Sequence, residues 1–280
     1  MEWGAPKPAE FNRDRAIARP LTVVFVSIPS MGENAHAEGQ AERIDVRERG
    51  GAREGIPQIL DRRLFMQLMV FESDKQHSPA DALKNLGVAL TRRNVPSVIY
   101  EDVNNPHGLG VLSWSEEPLD FATKLRPVFG DPETASLTLL REYTMLGRSY
   151  STGFETDLEY WLLRRPRETV LNEAWPWAVW YPLRRSGAFE RVEARERGTI
   201  MREHAGIGRA YGAQDLAHDV RLACHGLDAN DNEFVIGLIG KDLHPLSHVI
   251  QAMRSTRQTS EFITQMGPFF VGRAAFRHAG

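Results

Sequence analysis

Three side chains of this sequence, His204, Arg221 and Tyr181, pair a reactive type with a setting in which that type does chemistry. Ile200, Met201, His204 and Ile207 recur at helical spacing, so the His204 imidazole points with apolar side chains toward an interior. An interior histidine either satisfies a backbone carbonyl or, as a neutral imidazole on a rigid helix, ligates a metal. Axial ligation of haem iron beneath an apolar sheet is one arrangement of the second kind. The run Asp219 to His225 alternates as a strand, with Asp219, Arg221, Ala223 and His225 on one face and Val220, Leu222 and Cys224 on the other. A buried arginine requires an anion, so Arg221 either pairs with a residue such as Asp219 or faces a bound anionic ligand. Tyr181 ends a strand just before the helix that carries His204. It is either an interior aromatic with a hydrogen-bonded hydroxyl or, with a porphyrin above His204, an oxidisable phenol at the porphyrin edge.

Other candidates read as structural. His218 and His225 have no second ligand at a recognised metal spacing and belong to the surface or a turn. Trp175, Trp177 and Trp180 read as packing, and the single cysteine, Cys224, as a small buried apolar residue. The chain holds no Walker loop, no G-x-G-x-x-G and no G-x-S-x-G elbow.

Composition narrows the class further. At 280 residues, with 42% hydrophobic and 25% charged side chains, the chain can bury a core and is not a disordered or collagen-like scaffold. A formal charge of -3 leaves no cationic excess for a nucleic acid backbone. One cysteine excludes an intramolecular disulfide framework and suits a reducing compartment. No apolar run approaches the ~20 residues of a membrane span. The run Leu21 to Ile28, followed by Ala35-His36-Ala37, imitates a secretory signal. The acidic residues Glu2, Glu10 and Asp14 before it argue against export, so a cytoplasmic location is expected.

The elements that must position these residues follow from periodicity. Residues 1–60 are rich in Arg, Glu, Gly, Ala and Pro and read as a largely irregular extension, in which the Leu21 to Ile28 run could add one strand. Over residues 61–150 the pattern predicts strands at Leu64 to Phe71, Ser97 to Val103, Gly108 to Ser113 and Glu142 to Tyr150, with helices from Ser78-Pro79 and near Pro118 to Phe129. Residues 151–175 connect to a second unit, 176–280, with strands at Trp177 to Leu183, His218 to His225, Phe234 to Ile239 and Pro268 to Gly272. Its helices are predicted over Ala188 to Tyr211 and Pro245 to Arg257. Each unit has the order βαββαβ. The expected fold is therefore α+β, two tandem ferredoxin-like units whose sheets close into a barrel of the dimeric-α/β type. A porphyrin would occupy the space between the two sheets.

Four motifs in order carry a resemblance. Tyr181-Pro182-Leu183-Arg184-Arg185-Ser186, then Glu203-His204-Ala205-Gly206-Ile207-Gly208-Arg209-Ala210-Tyr211, then Gly226-Leu227-Asp228 and finally Gly267-Pro268-Phe269-Phe270-Val271-Gly272 resemble the chlorite dismutase superfamily. Its members include the coproheme decarboxylases that finish haem synthesis in many bacteria. The resemblance covers about residues 175–273, and the first unit agrees in pattern only. It implies the tandem ferredoxin-like fold, a porphyrin held by the C-terminal unit and a homo-oligomer, usually a ring of five. His204 is similar to the proximal iron ligand, and Tyr181 to the tyrosine that decarboxylases oxidise to a radical near a propionate. Their separation of 23 residues is that of one decarboxylase branch. Arg185 resembles a basic residue that meets propionates in that branch.

The chain also departs from the superfamily pattern. Phe189 stands where a tryptophan is common, and the carboxylate that would orient the proximal imidazole aligns near Arg257. The segment Leu158 to Ala174 has no distal base histidine. The distal position, an arginine in chlorite dismutases, aligns with Asp219, with Arg221 one alternation away on the same face. The resemblance implies a coproheme decarboxylase, with iron coproporphyrin III or haem b as cofactor, and iron porphyrin and hydrogen peroxide as partners. It leaves two alternatives. One is a chlorite dismutase or haem peroxidase using Arg221 as distal cation, and the other is a haem carrier or sensor without turnover.

Overall fold

A computed structural model of the chain describes residues 44–280, so the run Leu21 to Ile28 lies outside the described residues. In chain order the elements are β1 (Glu48–Arg53), β2 (Ile56–Leu60), β3 (Phe65–Ser73), α1 (Pro79–Arg92), β4 (Ser97–Asp102), β5 (Gly108–Ser115), α2 (Arg126–Val128) and β6 (Leu137–Arg148). They continue with α3 (Arg165–Leu171), β7 (Trp177–Arg185), α4 (Ala194–Ala213), β8 (His218–Ala223), β9 (Phe234–Gly240), α5 (Leu243–Arg254), β10 (Ile263–Met266) and β11 (Phe270–His278). No helix among the described residues is long and apolar enough to cross a membrane.

Every pairing is antiparallel, and the ring β7-β11-β4-β5-β3-β6-β8-β9 closes because β9 returns to β7, with Trp180 opposite Gly237 and Tyr181 opposite Ile236. The two ferredoxin-like halves meet edge to edge. At one seam β11 pairs with β4, from Gly272 opposite Asp102 to His278 opposite Ser97, while its first residues pair with β7. At the other seam Arg148 of β6 stands opposite Ala223 of β8. The first seam is thus a full ladder and the second a single bridge.

Strand alternation sorts the apolar residues into an inner and two outer cores. Met66, Leu68, Tyr100, Leu112, Trp180, Leu222, Cys224 and Phe270 fill the barrel interior. On the outer face of the first half, α1 and α2 cover Phe71, Ile99 and Val111 with Leu86, Leu90 and Val128. On the outer face of the second half, α4 and α5 cover Val179, Tyr181, Leu183 and Leu238 with Ile207, Leu246, Val249 and Met253. The buried thiol of Cys224 is pushed up to about 12 by burial and packs as a small apolar residue.

The structure corrects three expectations from periodicity. Residues 48–60, read as part of an irregular extension, form the hairpin β1-β2. Its composition hides it, since strand residues such as Gly50 and Gly51 carry no alternation, while Glu54 and Gly55 both take left-handed backbone at the turn. The connecting segment contains a helical stretch over Tyr160–Arg164 that continues as α3. The long helix starts at Ala194 rather than Ala188, because a separate turn over Phe189–Arg191 precedes it and the Glu193 carboxylate accepts from the Arg195 and Glu196 amides as its N-cap.

Candidate functional site

The barrel interior is not where the candidate residues converge. That space is occupied by the packed side chains of Trp180, Phe270, Met66 and Leu222, which corrects the expectation of a ligand between the two sheets. Tyr181 is next to Trp180 on the same strand and so points the other way, outward under α4 and α5. On β8, Asp219 stands opposite Leu238 and Arg221 opposite Ile236, both outer-face partners. His204, on α4, closes the site from the helix side.

His204 is half-buried, and its Nδ1 lies 3.5 Å from the Thr256 hydroxyl. That hydroxyl already donates to the Met253 carbonyl at 2.8 Å, so toward the imidazole it can only accept. The proton therefore sits on Nδ1, and Nε2 has no hydrogen bond among the described residues. Burial, and then the Arg221 guanidinium, hold the His204 pKa below its ordinary value, so the ring is neutral at pH 7 with a free nitrogen lone pair. Thr256 occupies the place where a carboxylate would orient the ring. Arg257, the residue expected there, spends its guanidinium on Glu196 and Glu261 at 3.1 and 3.0 Å. Of the expected helix face, Ile200 is buried and Ile207 packed, while Met201 is 36% exposed because the helix turns it toward solvent.

Tyr181 is buried, and its ring stacks on Phe269 at 4.7 Å. Burial, and then the Asp219 charge, raise its pKa, so it is a phenol throughout the physiological range. Its hydroxyl has no hydrogen bond among the described residues. The Asp219 charge also acts on His204, so one carboxylate faces both the imidazole and the phenol.

Asp219 is itself clamped. The Arg221 Nε forms an ion pair with its Oδ2 at 2.8 Å, and Arg165 donates to its Oδ1 at 2.8 Å and to its backbone carbonyl at 2.7 Å. Of the two roles left open for Arg221, the structure shows the ion pair with Asp219. Arg165, on α3 inside the connecting segment, escaped sequence reasoning because no strand or motif surrounds it. Only its position in the segment that lacks the distal histidine pointed there. Burial alone would push the Asp219 carboxyl up, but the two guanidiniums outweigh it and hold the pKa below the ordinary value. A depressed folded-state pKa contributes stability that is present above the ordinary carboxylate range and lost as pH falls through it. We expect the Tm to drop on acidification below about pH 4, and Asp219→Asn to flatten that part of a Tm-against-pH profile. An unchanged slope in the variant would show that the pair carries no stability.

Arg185 lies at the end of β7, where its Nε donates to Glu233 at 3.0 Å and its guanidinium packs between the rings of Phe189 and Phe234 at 4.4 and 4.8 Å. Phe189 is thus a platform for Arg185 and is buried against Phe262. His218 stacks on Trp175 at 3.6 Å and bonds Asp215, and His225 is exposed beside Phe234, so neither enters the site.

No curated protein matches the chain. Among solved structures it is similar to a haem-binding protein from Thermus thermophilus, with 19% identity and a TM-score of 0.62 over 78% of this chain and 93% of that one. It is also similar to a mutant chlorite dismutase from Candidatus Nitrospira defluvii in complex with cyanide, with 15% identity and a TM-score of 0.59 over 76% and 91%. Chlorite dismutase of the same organism in complex with imidazole gives 14% identity and a TM-score of 0.58 over 76% and 91%. These likenesses establish the shared fold. The family model described as chlorite dismutase matches residues 136–275, which run from the start of β6 into β11 and include α3, α4, β7 and β8. Because that match spans half of the 280 residues and takes in every element that builds the site, the chain belongs to the chlorite dismutase family.

Proposed function

We propose that this chain is a haem-binding oxidoreductase that decarboxylates two propionates of iron coproporphyrin III to vinyl groups, with hydrogen peroxide as oxidant. The observation that carries the reading is the convergence of a neutral imidazole with a free Nε2 and a protonated, unbonded phenol on one apolar, helix-covered sheet face. The donor set fits an iron porphyrin. His204 offers one neutral nitrogen to iron, Ile207, Met253 and Phe269 offer apolar surface, and Arg185, though paired with Glu233, brings a guanidinium of the kind that meets carboxylates.

When bound, the porphyrin supplies the redox power. Each propionate yields two electrons, a proton and carbon dioxide, and peroxide takes up two electrons and two protons to become water. The chain supplies placement and proton control. His204 Nε2 would hold the iron, with the ring fixed by Thr256 through Nδ1. Tyr181, held as a phenol by burial, can pass an electron and its own proton only together, which suits it to relay oxidising equivalents to a propionate. Stacking on Phe269 fixes the plane in which it does so.

The test is anaerobic loading with iron coproporphyrin III followed by titrated peroxide and mass analysis of the porphyrin. Loss of two carboxyl masses is expected. Tyr181→Phe should slow this by at least about 100-fold while porphyrin binding stays intact, and normal turnover in that variant would remove Tyr181 from the mechanism. A second reading, chlorite breakdown on haem b, rests on Arg221 as a cation on the outer, helix-covered face of β8. Oxygen release on adding chlorite to the haem-loaded protein would select it. Bleaching with unchanged porphyrin mass would instead indicate a carrier.

A further inference from the structure

The ion-pair chain Arg165-Asp219-Arg221 bears on which oxidants the site accepts. Arg221 shares the outer face of β8 with Asp219, and its Nε stands 2.8 Å from the Asp219 carboxylate. Asp219 in turn cannot swing away with it, because Arg165 grips both its carboxylate and its backbone carbonyl at 2.8 and 2.7 Å. Arg165 is itself packed over the Trp161 ring at 4.7 Å and its side chain is only 19% exposed, so the anchor at the far end of the chain is rigid. The other carboxylate that faces Arg221 is Glu155. Its oxygens are spent within its own turn, accepting from the Thr152, Gly153 and Phe154 amides at 2.9, 3.1 and 3.1 Å and from the Thr152 hydroxyl at 2.6 Å. A small cavity opens beside this group, lined by Tyr150, Trp161, Arg165 and Arg221. Both guanidiniums and the Glu155 carboxylate border it, while Asp219, outside its lining, joins the two guanidiniums.

We infer that Asp219 is a specificity-determining residue that neutralises and immobilises Arg221, so that the site favours a small neutral oxidant of the peroxide class over an oxyanion. An incoming anion would have to break the Asp219-Arg221 pair to obtain the guanidinium, and would meet the Asp219 charge as it approached. A neutral peroxide meets neither cost. The inference rests on the haem-binding reading above and narrows its oxidant.

The experiment compares equilibrium binding of fluoride, a small anion that needs a hydrogen-bond donor, with binding of neutral imidazole. Both are followed optically at pH 7 on the ferric haem-loaded protein. In Asp219→Asn, which keeps an acceptor for Arg165, fluoride affinity should rise by about tenfold or more, while imidazole affinity moves by less than about twofold. In the double variant Asp219→Asn/Arg221→Gln the fluoride gain should disappear, which ties it to the released guanidinium rather than to a loosened fold. Fluoride affinity unchanged in Asp219→Asn, with normal haem uptake, overturns the inference and leaves the haem reading standing. An equal gain for fluoride and imidazole also overturns it, because a merely loosened pocket admits both. Failure of the wild-type protein to take up haem overturns both.

Discussion

His204→Ala is expected to abolish stoichiometric uptake of ferric porphyrin, with affinity falling at least about 100-fold. The site has one uncharged nitrogen donor on its helix side. His204 Nδ1 is committed to Thr256, and His218 and His225 bond or stack elsewhere. Folding should survive, because the half-buried ring makes a single long contact of 3.5 Å and its removal uncovers no charged partner. The measurement is a Soret titration of wild type and variant, with circular dichroism as the control for fold. Added imidazole should partly restore the spectrum by filling the space the side chain leaves. If the variant bound ferric porphyrin as tightly as the wild type, the ligand would have to be sought on another element, and the proposed chemistry at Tyr181 would lose its anchor.

Gly237→Val is expected to destabilise the folded barrel by about 3 kcal/mol, a fall in Tm of roughly 6–12 °C for a protein of this size. Gly237 lies opposite Trp180 across the β7-β9 ladder, and a Cβ there would stand 2.5 Å from the Trp180 ring. Trp180 is fully buried among Tyr100, Phe270 and Val220, so it cannot retreat. Shortening the neighbour should relieve the clash. In the pair Gly237→Val with Trp180→Leu the two losses should sum to less than their separate values, a coupling that thermal melts of the four proteins would detect. Additive losses would mean that the glycine serves backbone geometry rather than ring packing.

These two sites illustrate what periodicity could and could not convey. Strand β8 was legible because only one of its faces is polar, so Asp219 and Arg221 separate from Val220 and Leu222 on inspection. Strand β7 was legible as a strand but its facing was not, since Ala178 to Leu183 are buried on both faces. An unbroken apolar run does not tell whether Trp180 or Tyr181 looks inward, and that parity decides whether a ligand lies inside the barrel or under the helices. The helix carrying His204 was legible from its spacing, whereas its partner Thr256 was not, because a hydroxyl beside a charged arginine gives no periodic signal. Arg165 was invisible for a different reason. Its role comes from a contact with Asp219, 54 positions away along the chain, and no local pattern encodes such a contact.

Strand β11 hydrogen-bonds to both halves, to β4 along one edge and to β7 along the other. It is also the strand that leaves the ribosome after all the others of the ring. During synthesis the two half-sheets must therefore wait with unpaired edges, and the waiting species is the one exposed to misassembly with a neighbouring nascent chain. Closure of the cylinder and its protection from such errors arrive together, with a segment of nine residues, Phe270–His278.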